Sequence, residues 1–155
     1  MKLLLLLLSL VGPDSYPSTW DNFVEPMEET LRTSFKAQDA EMKKISCDVL
    51  DALIKKTSDP ALTPLGAPLV KAILPNCGHR HSETRKRVIH SLSKLLVHSG
   101  YYEDIEKVYE VIQRLTDDRT AAVRKEVIAF CRRMLVKHPM RHVMYHPLML
   151  PLFFY

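Results

Sequence analysis

An all-α solenoid of about three to four stacked helix pairs is the fold this sequence predicts. Three observations lead to it. Apolar residues recur at helical spacing through most of the chain. Three of those stripes share one register at a separation of about 40 residues. The punctuation is also wrong for a sheet: 155 residues carry only four glycines and no Asn-Gly or Asp-Gly pair.

The first segment, "MKLLLLLLSLVG", is apolar from Leu3 to Val11 except for Ser9. It is too short to span a bilayer, which takes about 20 apolar residues. As a secretory signal it has a charge at Lys2 and a normal apolar core. Its cleavage site is poor, with Leu10 at minus three and Pro13 after the cut if the cut follows Gly12. In a helix-pair array the same segment falls where the second helix of a preceding pair belongs, and such a helix is apolar on most faces. Next comes a helix over 21–35. Asp39 can cap a helix over 40–57, with Met42, Ile45, Cys47, Val49, Leu50, Leu53 and Ile54 as its apolar stripe. A helix over 65–74 follows. Ser82 starts another, carrying Val88, Ile89, Leu92, Leu95 and Leu96, with Gly100 as its stop. Further helices are expected over 103–115 and 119–138, the latter ended by Pro139. The segment 142–154 is apolar but holds Pro147 and Pro151.

Three of these helices align when anchored on Lys43, Arg85 and Arg124, which stand 42 and 39 residues apart. Four positions after the anchors come Cys47, Ile89 and Ile128. Seven after come Leu50, Leu92 and Cys131; ten after, Leu53, Leu95 and Met134; eleven after, Ile54, Leu96 and Leu135. One further helix lies between successive copies, so the unit is a helix pair. Leu50, Leu53, Ile89, Leu92, Ile128 and Leu135 are the expected repeat core.

The segments "QDAEMKKISCDVLDAL", "RHSETRKRVIHSLSKLL" and "TDDRTAAVRKEVIAFCRRML" resemble HEAT repeats. The third is nearest the family pattern, with Asp118 in the turn and Val123-Arg124 opening the second helix. The first has Asp39, Met42 and Lys43. The middle copy lacks the turn Asp and has Thr84 for valine before Arg85. The resemblance implies a hydrogen-bonded ladder of turn Asp and helix Arg, here Asp39, Lys43, Arg85, Asp118 and Arg124. A longer stretch, 41–92, looks like the N-terminal array of the cytosolic dynein axonemal assembly factors built from HEAT repeats. Lys43 to Cys47, Pro68-Leu69 and the His79-x-His81 segment before Arg85 carry that likeness. It implies a cytoplasmic, non-enzymatic scaffold in axonemal dynein arm preassembly, with dynein chains and chaperone machinery as partners. It also implies that residues 1–155 are one array, a fragment or short isoform of a longer solenoid.

Other classes of function find less support. The net charge of +4, from 22 basic and 18 acidic residues mixed along the chain, is no nucleic-acid footprint. Three widely spaced cysteines and no Asn-x-Ser/Thr sequon do not describe a disulfide-stapled secreted domain. Cys77, His79 and His81 match no standard zinc spacing, and Pro139 and Pro147 interrupt the face of His138, His142 and His146. Cys47 and Cys131 read as small core hydrophobes. No phosphate loop or hydrolase motif occurs, so no catalytic residue, metal or cofactor is expected. The runs Arg85–Arg87 and Arg132-Arg133 read as solvated helix faces. The alternatives are a secreted helical protein with a cleaved signal, and a tubulin-, transport- or nucleic-acid-related HEAT module. Both ends of the array carry apolar residues without a neighbour, which predicts self-association through them.

Overall fold

A computed structural model describes residues 1–10 and 17–137. Within them the chain forms seven α-helices: α1 Lys2–Leu10, α2 Pro17–Lys36, α3 Ala40–Lys56, α4 Asp59–Ile73, α5 Ser82–Ser99, α6 Ile105–Arg114 and α7 Ala121–Lys137. Short 3-10 turns extend α4 over Leu74–Gly78 and α6 over Leu115–Asp117. No strand occurs among the described residues. The expected segment 142–154 lies outside them.

The helices form two layers. In one, α1 packs on α3, α3 on α5 and α5 on α7; in the other, α2 packs on α4. The helix α6 meets the 3-10 turn after α4, and α7 meets the turn after α6. Pairs close by α2 against α3 and α4 against α5. This is an α-solenoid of HEAT-type helix pairs, and α1 occupies the second-helix layer. It buries Leu8 against the core while Leu4 and Leu5 are partly covered. Leu3, Leu6, Leu7 and Leu10 stay exposed, at one-turn spacing on the outer face.

Local chemistry sets the boundaries. Asp39 is the N-cap of α3, its carboxylate accepting from the amides of Glu41 (3.2 Å) and Met42 (3.0 Å). Gly100 ends α5 with φ 65°, a left-handed conformation that glycine takes without a Cβ penalty, and its amide donates to Leu96 O. The helix α4 begins six residues before the expected 65. Pro60 sits in its first turn, where the missing amide costs nothing, but Pro64 and Pro68 lie in its interior. Gly66 explains part of the tolerance: a Cβ there would stand 2.7 Å from Tyr101 Cβ and 2.8 Å from Ser99 Oγ. Close packing on the end of α5 holds α4 helical despite its prolines.

Leu50, Leu53, Ile89 and Leu92 have no exposed surface, and Leu135 is half-buried. Ile128 corrects the repeat reading: it is 43% exposed. The equivalent Cys47 is covered by α5, whose Ser91 lies against it. Among the described residues no helix follows α7, so the same face carries Ile128 into solvent. Thr84 is 1% exposed, and its hydroxyl has no hydrogen-bond partner among the described residues. Val123 holds the same place in the next copy and is fully buried.

Two outcomes follow from this packing. Leu92→Ala should cost about 2–5 kcal/mol of unfolding free energy. Lys94→Ala should cost about 1 kcal/mol or less, because its half-buried ammonium pairs with Asp51 at 2.9 Å. Denaturant melts of both variants check the difference, and equal losses would contradict the register. Thr84→Val should stabilise by about 1 kcal/mol, since it removes a buried hydroxyl that no partner satisfies.

Candidate protein-binding surface

The charged residues sort into an inner ladder and an outer face. The ladder runs where the turn of each repeat meets the second helix of the one before. Arg85 donates from Nε and Nη2 to the two carboxylate oxygens of Asp118, at 2.7 and 2.9 Å. Both side chains are nearly buried, 8% and 6% exposed. Arg85 Nη1 also donates to the carbonyls of His79 (2.8 Å) and Arg80 (3.1 Å), and Arg124 Nη1 donates to Asp118 O at 2.7 Å. In both copies the accepting carbonyl lies six residues before the arginine.

Lys43 forms the preceding rung. The residue is 9% exposed, and its ammonium donates to Phe35 O at 3.3 Å and to Asn76 Oδ1. The Lys43–Asn76 and Arg85–Asp118 contacts both span 33 residues. Asn76 is thus the counterpart of Asp118, in the copy whose turn lacks an Asp. Sequence reading looked for a carboxylate and missed it; a polar residue 33 positions after the anchor is the signal that finds it. Asp39 takes no part in these contacts and serves as a cap.

The outer face of the second-helix layer is stitched by pairs between neighbouring helices. Arg87 of α5 pairs with Asp48 of α3. Asp51 accepts from Ser91 Oγ and Lys94 Nζ, both at 2.9 Å. Arg133 of α7 donates to Ser93 Oγ of α5 and to Glu126, both at 2.8 Å, and His90 lies 3.0 Å from the same Glu126 carboxylate. Contacts of this kind hold α3, α5 and α7 at fixed offsets and leave a polar surface of both signs.

The residues considered for chemistry are placed otherwise. Cys47, Cys77 and Cys131 are free and buried. Burial pushes their thiols up to about 12, 12 and 11, which suppresses the thiolate a nucleophile needs. The rings of His79 and His81 lie 5.4 Å apart in the turn before α5, and burial holds His79 below its usual range. Among the described residues no group of three or more His, Cys, Asp or Glu side chains is placed to hold a metal ion. His138, His142 and His146 lie outside them. No described helix is long and apolar enough to cross a membrane.

Asp118 gives the ladder a pH signature. Burial alone raises its carboxyl, but the Arg85 hydrogen bonds and the Thr120 amide at 2.8 Å outweigh it, holding the group below the ordinary 3.8. A depressed carboxyl contributes stability above its unfolded value and loses it as pH falls through the folded one. Asp118→Asn should therefore cost about 2 kcal/mol at neutral pH. The gap to the parent should narrow in melts below about pH 4; a gap constant with pH would remove the ion pair from the account.

The chain matches, over residues 1–154, the family described as dynein axonemal assembly factor 5-like, TPR repeats. No curated protein and no solved structure matches it. Both repeat names denote stacked helix pairs; the anchor separations of 42 and 39 residues have the HEAT length, against about 34 for a tetratricopeptide unit. With its matched span, its two helix layers and its inter-repeat rungs, the chain belongs to the dynein axonemal assembly factor 5-like repeat family.

Proposed function

We propose that this chain is a non-enzymatic scaffold that holds proteins together during cytoplasmic preassembly of axonemal dynein arms. Dynein chains and chaperone machinery are its partners in this reading. The observation that carries it is family membership across 1–154. Supporting it, helix pairs held at fixed offsets by contacts between repeats present an extended, preformed surface to a partner. The buried, protonated thiols and the paired outer charges suit a surface that recognises partners by shape and charge and changes no bonds.

The test is capture by the immobilised full chain from a lysate of cells building motile cilia, against an unrelated helical repeat of similar charge. Enrichment of axonemal dynein chains over that control is the expected result. Their absence, with the chain shown folded by its helical spectrum, would overturn the assignment to dynein assembly.

A further inference from the structure

The first-helix layer carries a groove unlike the rest of the surface. It lies between α2 and α4 and encloses about 510 Å³. Val24 and Leu65 form an apolar floor, and Pro64 and Pro68 form one wall. The other wall holds Glu25 and Glu28, and among the described residues no basic side chain lines the groove, although the chain as a whole carries +4. Two further features favour a donor-rich occupant. Among the described residues Glu28 Oε1 is buried and accepts no hydrogen bond; it forms only a long ion pair with Arg32 Nε, 3.6 Å away on a half-exposed side chain. A carboxylate oxygen buried without a donor is costly. In α4, Pro64 and Pro68 have no amide hydrogen, so the carbonyls of Pro60 and Pro64 lack their i+4 donors. Pro64 and Pro68 stand four residues apart on one face of α4, and both line the groove.

We propose that this α2–α4 groove docks an arginine-bearing segment of a partner protein. Arginine fits on three counts. Its guanidinium offers five donors in a fixed fork, enough to serve a carboxylate and a backbone carbonyl together. Its aliphatic stem can lie along the proline rings and Leu65. Its charge is opposite in sign to the two acidic side chains lining the groove. The self-satisfied ion pairs of the second-helix layer offer no comparable set of acceptors. The proposal goes beyond the scaffold reading by naming a surface and a partner chemistry, and it is tested without any dynein component, so the two fail separately.

The experiment is fluorescence anisotropy with the full chain and a labelled peptide of alternating Arg and Ala, at about 0.1 M salt to screen diffuse attraction. Saturable binding is expected, with an alternating Lys-Ala peptide weaker and a Glu-Ala peptide not binding. Glu25→Gln with Glu28→Gln should weaken binding by about tenfold or more, the loss of charge-assisted hydrogen bonds. Glu106→Gln with Glu110→Gln, on exposed positions of α6, should leave it unchanged. Pro64→Ala restores an amide for the Pro60 carbonyl and removes a ring from the groove wall, so it should raise the melting temperature and weaken binding together. If the double glutamine variant loses its helical signal, Glu25→Gln alone, at an exposed position, is read in its place. No saturable binding, equal binding of the acidic peptide, or glutamine variants within about twofold of the parent would overturn the proposal.

Discussion

The stack depends on the Arg85–Asp118 pair. A guanidinium and a carboxylate, both almost buried, meet through two parallel hydrogen bonds across the joint between repeats. Charges removed from water this far are tolerated only when nearly every donor has a partner. Arg85 meets that demand by bonding three positions at once: the next repeat's turn and two carbonyls of its own. The geometry admits little slack. A helix shifted by one turn would strand a buried charge, so the pair specifies the offset between repeats more than it adds to stability. Lys43 and Asn76 do the same one repeat earlier with only one charge.

Around that joint the two layers do different work. The outer face of α3, α5 and α7 is laced with pairs of opposite sign, each worth little in water. Together they make wrong offsets repulsive. The first-helix layer is tied less by charge than by fit. Trp20 of α2 donates from its indole nitrogen to Thr57 Oγ1 at the end of α3, and Gly66 brings the backbone of α4 against Ser99 and Tyr101. A helix with two interior prolines keeps its course because its neighbours hold it.

Most of the fold was legible because a solenoid repeats its signals. The stripes Leu50–Leu53 and Ile89–Leu92 announced buried faces, and they are buried. The signals that failed were those that depend on a neighbour. Ile128 has the same local sequence context as Ile89, but burial at that position comes from the next helix, which local periodicity does not encode. Asn76 was passed over because a family pattern asks for Asp, whereas the joint needs only an acceptor at the right height. The start of α4 was read too late because prolines at 60 and 64 resemble a linker when the packing that offsets them is out of view. Lys94 pairs with Asp51, 43 residues away, a contact that no local pattern encodes. At the candidate groove, the carboxylates of α2 and the prolines of α4 were visible singly. Their convergence is a property of the fold alone.

The three free cysteines have a use unconnected with chemistry in the cell. Cys47 lies in α3, Cys77 in the turn after α4 and Cys131 in α7, all sealed from solvent and held protonated. In a molecule whose units touch only their neighbours, opening spreads outward from wherever it begins. A thiol reagent reaches each sulfur only when its own section comes apart. The order in which the three become modified is therefore a clock set along the chain, and it records the route by which the array comes undone.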